Sequence, residues 1–126
     1  VYGLSEINFK DIKSSKNISV PGCYPTSILL SLIPLFKDNL IESNNIIIDS
    51  KSGYSGAGKK FDKNKLIQEK GLNFYNYNTN QHRHICEIEQ ELKKFTESDI
   101  YCYFTANRFT GMVSSERSFR DFSVPL

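Results

Sequence analysis

The sequence predicts one domain of the α+β or α/β class, because helical and strand-like patterns alternate along it. Apolar residues recur at helical spacing over residues 26–36 and again from residue 85. Short β-branched or alternating runs at residues 46–48, 74–77 and 100–104 are typical of strands. A length of 126 residues allows one domain at most, and 39% hydrophobic with 24% charged residues is ordinary globular composition.

The first half of the chain predicts two helices and two strands. Residues 5–15 indicate a short helix or turn, and residues 17–20 a short strand. Pro25, at a first-turn position, predicts a helix over residues 26–36, which Pro34 should kink or end. The β-branched run at residues 46–48 predicts a buried strand.

The second half begins with a tight loop of small residues at 52–58, followed by a basic, weakly helical stretch to Gly71. Residues 74–77 are a strand candidate, and a second clear helix is expected from about Ile85. Residues 100–104 alternate as in a strand, and from Ala106 the sequence loses any clear period.

Bulk features exclude several functional classes. A formal charge of +2 gives no case for nucleic acid or a membrane surface as partner. No apolar run approaches the roughly 18 residues that span a bilayer, and no signal peptide is recognisable. Three widely spaced cysteines without a C-x-x-C pair argue against a disulfide framework and against a zinc site, so we expect no metal. These features predict a reducing, cytoplasmic location.

Cys23 is the first candidate for chemistry. It follows a predicted strand on a Pro-Gly turn, just before a predicted helix. A helix N-terminus favours negative charge, so a thiolate there would be a good nucleophile. The alternative is a small residue packed at a turn. Cys86 and Cys102 are interpreted as structural, although Cys86 fits either role.

His82, Arg83 and His84 form the second candidate. A cysteine nucleophile commonly needs a histidine as general acid or base, and an arginine can bind a carboxylate or phosphate. The alternative is a solvated polar segment that precedes the helix.

The loop over residues 52–58 is the third candidate. It contains G-x-x-G-x-G, and no G-x-G-x-x-G dinucleotide fingerprint occurs in the chain. Its backbone N–H groups can form an anion-binding nest, to which Lys59 and Lys60 would add charge. The alternative is a flexible surface turn.

Four segments together resemble the N-acetyl-gamma-glutamyl-phosphate reductase family. P-G-C-Y-P-T at 21–26 resembles the active-site motif of that family, and S-G-Y-S-G-A-G-K at 52–59 is similar to its S-G-x-S-G-A-G-[RK] loop. H-R-H-I-C-E-I-E-Q at 82–90 resembles H-R-H-x-P-E-I-x-Q, and Y-G-L-S-E at 2–6 resembles the family's Y-G-L-x-E. The resemblance runs from about Val1 to Thr105.

The resemblance implies an α+β fold, a mixed sheet with helices, as part of a glyceraldehyde-3-phosphate-dehydrogenase-like C-terminal catalytic domain. It also implies reduction of N-acetylglutamyl 5-phosphate to the 5-semialdehyde with NADPH, in arginine biosynthesis. The implied partners are a small-molecule substrate and either a second copy of the chain or a separate nucleotide-binding domain.

The resemblance assigns residue roles as well. Cys23 would be the nucleophile that forms a thioester, and His82 the acid or base, with His84 as second choice. Arg83, Tyr24 and Thr26 would bind substrate. The cofactor side would be lined by small residues of the loop, namely Ser52, Gly53, Ser55, Gly56 and Gly58.

The chain also departs from the family pattern. The N-terminal dinucleotide-binding domain has no counterpart, Ile85-Cys86 replaces Thr-Pro, and residues 106–126 diverge. We therefore expect residues 1–126 to be a partial catalytic domain from a truncated or frameshifted reading frame. Alternative hypotheses are an inactive remnant or interaction module, and a stand-alone Cys-His acyl-transfer domain.

Overall fold

A computed structural model describes residues 1–58, 62–71 and 73–110, and it contains helices and a small mixed sheet. The α-helices are α1 (Ser5–Ser14), α2 (Cys23–Lys37), α3 (Lys63–Lys70) and α4 (His84–Leu92). The strands are β1 (Ile46–Gly53), β2 (Phe74–Tyr77) and β3 (Cys102–Phe109). The sheet order is β1-β3-β2, and the predicted α+β class is confirmed.

The described residues divide into two compact units, and the boundary passes through β1 and β3. The first unit is Val1–Ile48 with Asn80–Phe104; the second is Asp49–Thr79 with the chain from Thr105 onward.

The core of the first unit lies where α2 packs against α4. Its largest fully buried apolar side chains are Leu29, Ile33, Ile88, Leu92 and Phe104. None of the described helices is both long and apolar enough to cross a membrane.

In the second unit, β2 pairs antiparallel with β3, with Phe74 opposite Phe109 and Tyr77 opposite Ala106. The end of β3 is fixed by Thr110, whose hydroxyl donates to the carbonyl of Gly71 at 2.7 Å and accepts from the backbone N–H of Asn73 at 2.6 Å. These bonds hold the segment that enters β2 against the segment that leaves β3.

Several predicted elements are confirmed, and others differ. The structure contains the predicted helix at α1, the strand at β2 and the helix at α4. The expected strand over residues 17–20 is reduced to one isolated bridge between Tyr2 and Ser19. A fully buried strand at 46–48 was wrong for Ile47, which is 80% exposed, because alternate residues of a strand point to opposite faces.

Candidate functional site

Cys23 is the first residue of α2, and its side chain is exposed. The helix begins three residues earlier than predicted, so Pro25 lies in the first turn, where the missing N–H of proline costs no intrahelical bond. The carbonyl of Gly22 accepts from both the N–H and the hydroxyl of Thr26, at 3.0 and 2.9 Å. These two hydrogen bonds fix the first turn of the helix that carries Cys23.

Behind this turn lies a buried aromatic cluster within the first unit. Tyr24 contacts His82, His84 and Phe104 edge-on, with ring centroids 5.4, 6.0 and 5.4 Å away. The two imidazole centroids are 4.7 Å apart, and both rings are at least nine-tenths buried. The structure therefore brings both predicted histidines to the residue that follows Cys23.

His84 lies directly against the turn. A methyl group at Gly22 would lie 2.7 Å from its Nε2 atom, so any larger residue there would force the ring or the turn to shift. Its Nδ1 atom is buried and has no hydrogen-bond partner among the described residues. Burial lowers the pKa of His84; Glu87 raises this pKa, and Arg83 lowers it further. The ring is therefore held towards its neutral form.

His82 is oriented by a hydrogen bond to its Nδ1 atom. Its Nδ1 atom accepts the backbone N–H of His84 at 3.3 Å. In the neutral ring this places the proton on Nε2, because one nitrogen accepts while the other donates. Any proton that His82 exchanges with a ligand must then move through Nε2.

Sequence reasoning missed two residues that fix the turn, Glu87 and Tyr2. The Oε1 atom of Glu87 accepts from the backbone N–H of Gly22 at 3.0 Å and from the Tyr2 hydroxyl at 2.7 Å. The spacing of His84 and Glu87, three residues apart on a helix, already predicts that they share a face. Their common target, Gly22, is not visible in any local pattern.

The remaining predicted residues of the first unit are more exposed. Arg83 is exposed at the residue before α4 and can reach an anion in solvent, while Thr26 is half-buried. Cys86 is exposed and lies about 200° around α4 from His84. Cys102 is half-buried; burial, with a smaller contribution from Glu89, raises its pKa to about 11.

The glycine-rich loop belongs to the second unit and is not a single tight turn. Ser52 and Gly53 end β1, and residues 54–57 form a 3-10 turn. The Ser52 hydroxyl donates to the carbonyl of Asn107 at 3.4 Å, and the N–H of Gly58 donates to Ser55 at 3.1 Å. Lys59 and Lys60, which we expected to add charge, lie outside the described residues.

The loop fits limited contact with a cofactor. Ser55 and Gly56 are exposed, and a methyl group at Gly58 would meet nothing within 4 Å, so this stretch of backbone is accessible to a phosphate or a nicotinamide ring. Gly58 has φ +90°, a conformation that favours glycine whether or not a ligand binds. Among the described residues, no group of three or more His, Cys, Asp and Glu side chains is placed to hold a metal ion.

Comparison with known proteins gives one matching family model, described as "Semialdehyde dehydrogenase, dimerisation domain", over residues 23–115. That domain is the C-terminal domain of the glyceraldehyde-3-phosphate-dehydrogenase-like type, which confirms the predicted fold.

Curated relatives carry the name that the four motifs predict. An N-acetyl-gamma-glutamyl-phosphate reductase of Caldicellulosiruptor bescii is 50% identical over 104 residues, which cover 82% of this chain and 30% of the relative. The reductase of Ehrlichia canis is 52% identical over 73% of the chain and 27% of its own length. An Arabidopsis thaliana relative, named as chloroplastic, is 48% identical over 83% of the chain and 26% of its own length. The chain thus spans less than a third of each of these relatives.

Proposed function

The chain belongs to the semialdehyde dehydrogenase family through its dimerisation domain, and on that premise we propose that the protein containing it is an NADP-dependent reductase. The proposed reaction converts N-acetylglutamyl 5-phosphate to the 5-semialdehyde and phosphate, in arginine biosynthesis, and the proposed location is the cytoplasm. The observation that carries the proposal is an exposed cysteine at the start of α2, next to a glycine that contacts a buried imidazole.

Cys23 is the proposed nucleophile. Its thiolate attacks the carbonyl carbon of the acyl phosphate, the carbon–oxygen bond to phosphate breaks, and phosphate leaves with the bonding pair. The product is a thioester on Cys23. Two features support this role: the thiol is exposed to a ligand, and it lies at a helix N-terminus, where backbone dipoles favour negative charge.

When bound, NADPH supplies the hydride that reduces the thioester. The resemblance assigns loop residues to its contact in this chain, namely Ser52, Gly53, Ser55, Gly56 and Gly58, and the exposed backbone at Ser55 and Gly56 supports that assignment. The resemblance places the main nucleotide-binding site of the family in a separate domain.

Hydride addition would leave an oxyanion on the thiohemiacetal, and a protonated histidine can neutralise it. The same group takes the proton back as the carbonyl re-forms, the carbon–sulfur bond breaks, and the Cys23 thiolate and the aldehyde are released. His82 is the proposed acid or base, acting through Nε2, and His84 is the second candidate. The contact of His84 with Gly22 supports a role close to Cys23. Arg83, exposed before α4, is proposed to hold an anionic group of the substrate, and the resemblance assigns Tyr24 and Thr26 to substrate binding as well.

The family description also supports a homo-oligomer, which we propose for the whole protein. A short chain that covers less than a third of its relatives also leaves room for two other hypotheses: an interaction module that lacks cofactor binding, and a Cys-His domain that transfers acyl groups without nucleotide.

The test is phosphate-dependent reduction of NADP with the semialdehyde by the intact protein. Cys23→Ala should lower kcat by at least about a thousandfold, because it removes the nucleophile. Cys86→Ala is the matched control, since this exposed cysteine lies on the far side of α4, and it should keep wild-type turnover.

Undiminished turnover by Cys23→Ala would rule out the proposed role of the thiol. If the wild-type protein cleaves activated esters without nucleotide and never reduces NADP, the acyl-transfer hypothesis replaces the reductase. Absence of both turnover and NADP binding would instead favour the interaction module.

A further inference from the structure

A single carboxylate oxygen joins three distant parts of the first unit. Oε1 of Glu87, on α4, accepts one hydrogen bond from the Tyr2 hydroxyl at 2.7 Å and another from the backbone N–H of Gly22 at 3.0 Å. Tyr2 precedes α1, and Gly22 is the residue before Cys23. The contacts therefore link the start of the chain and α4 to the turn that carries the thiol.

We propose that Tyr2 and Glu87 are positioning residues for Cys23. The Tyr2 hydroxyl holds the Glu87 carboxylate, and the carboxylate holds the peptide group of Gly22 from which Cys23 projects. This inference rests on the proposed role of Cys23 as nucleophile, but the hydrogen bonds that it invokes can be tested without turnover.

Gly22, the residue before α2, has no side chain, so only its two backbone groups can hold it in place. Helices usually begin at Ser, Thr, Asp or Asn, whose side chain bonds the first turn. A side chain at this position would collide with the imidazole of His84, 2.7 Å from the position of a methyl group. The carbonyl of Gly22 is fixed by Thr26, and its N–H is fixed by Glu87. Both backbone groups of the residue before the thiol are thus held.

Tyr2 is suited to hold the carboxylate because its hydroxyl stays protonated. Burial, followed by the hydrogen bond to Glu87 and the charges of Glu87 and Glu91, raises the pKa of Tyr2 well above its usual range. The ring is packed in turn under Lys94, whose Nζ lies 5.8 Å from the ring centroid and 2.6 Å from Glu91. The donor is therefore fixed by α4 and the turn that follows it.

The first measurement is hydrogen exchange at the amide of Gly22, followed by NMR in the intact protein. A hydrogen bond to a charged group protects an amide, so Glu87→Ala should accelerate exchange at Gly22 by about tenfold or more. Glu87→Gln retains an acceptor oxygen and should restore most of the protection. Tyr2→Phe should accelerate exchange a few-fold, because it removes one oxygen and leaves the carboxylate less constrained.

The second measurement reports on the thiol. The rate at which iodoacetamide alkylates Cys23, expressed as a ratio to the wild-type rate, should change by about tenfold in Glu87→Ala and return towards wild type in Glu87→Gln. In the reductase assay, Tyr2→Phe should lower kcat and leave KM unchanged, since Tyr2 acts on the nucleophile and not on the bound substrate. Tyr103→Phe and Glu42→Ala, both at exposed positions, are the matched controls.

The proposal fails if Glu87→Ala leaves both the Gly22 amide and the Cys23 alkylation ratio unchanged. If that variant does not fold, Tyr2→Phe decides alone, since it removes a single atom: unchanged exchange and unchanged kcat overturn the proposal. Failure of the proposed function looks different, because Cys23→Ala would then retain turnover while Glu87→Ala still accelerates exchange at Gly22.

Discussion

Helices α2 and α3 begin in different ways. The N-terminus of α3 is capped by Asp62, whose Oδ1 atom accepts the backbone N–H groups of Asn64 at 2.9 Å and Lys65 at 3.2 Å. The residue before α2 is Gly22, which has no side chain with which to cap. Its own backbone N–H donates to Glu87, 65 residues further along the chain. The start of α3 is stabilised by hydrogen bonds within its own turn, whereas the residue before α2 is held by a contact that is distant along the chain.

The difference follows from what lies next to each start. Replacing a capping side chain with glycine costs only a few tenths of a kcal/mol, so the missing cap at Gly22 is a minor loss. In return the imidazole of His84 approaches the backbone at the residue before Cys23. At the start of α3, Asp62 stabilises the first turn through its own side chain.

The largest expected effect comes from filling the space at Gly22. Gly22→Ala places a methyl group 2.7 Å from Nε2 of a buried ring, so His84 or the turn must shift, and we expect a loss of about 1–3 kcal/mol in the free energy of unfolding. Urea denaturation measures it.

Gly56→Ala is the matched control, since its added methyl group would lie 3.5 Å from Ser52, an ordinary contact. It should change stability by about 0.5 kcal/mol or less. Equal losses in the two variants would show that the close approach of His84 does not constrain Gly22.

These two helix starts also show what local sequence patterns can predict. The turn chemistry around Pro25 placed Cys23 beside a helix start, and four motifs indicated the family that the comparisons confirm. The boundary was off by three residues, because proline is tolerated throughout the first turn and does not mark its first residue.

What the sequence did not reveal depends on residues that are distant along the chain. Glu87 was visible as a helical glutamate and Tyr2 as part of a motif, but neither pattern contains the Gly22 N–H that they share. Similarly, three consecutive isoleucines predict a strand, yet which of them is covered depends on the packing of each face. Ile48 is 8% exposed and Ile47 is 80% exposed.

A smaller effect is expected at the start of α3. Asp62→Ala removes the acceptor for two backbone N–H groups and should cost about 1 kcal/mol, whereas Asp62→Asn retains a capping oxygen and should cost less. Urea denaturation gives the loss. Alkylation of Cys23 at a fixed pH should be unchanged in both variants, because this cap is local. A changed rate at Cys23 would mean that the two helix starts are coupled.

The smallest expected effect is a pH dependence that arises beside the start of α2. Since burial lowers the pKa of His84 in the folded chain, the unfolded chain binds a proton more readily once the pH falls below about 6.5. This contribution to stability is complete above that pH and is lost as the pH falls towards the folded pKa. The urea midpoint should therefore decrease between about pH 7.5 and about pH 5.5.

His84→Gln removes the titrating ring, so its midpoint should decrease less over the same interval, whatever its stability at neutral pH. The substitution also disturbs packing, which shifts the urea midpoint at every pH. The change in midpoint between the two pH values, compared between the variant and the wild type, therefore reports on the protonation of His84. An equal decrease in the variant would assign the pH dependence to other groups. It would also mean that the turn at Gly22 does not require a neutral imidazole beside it.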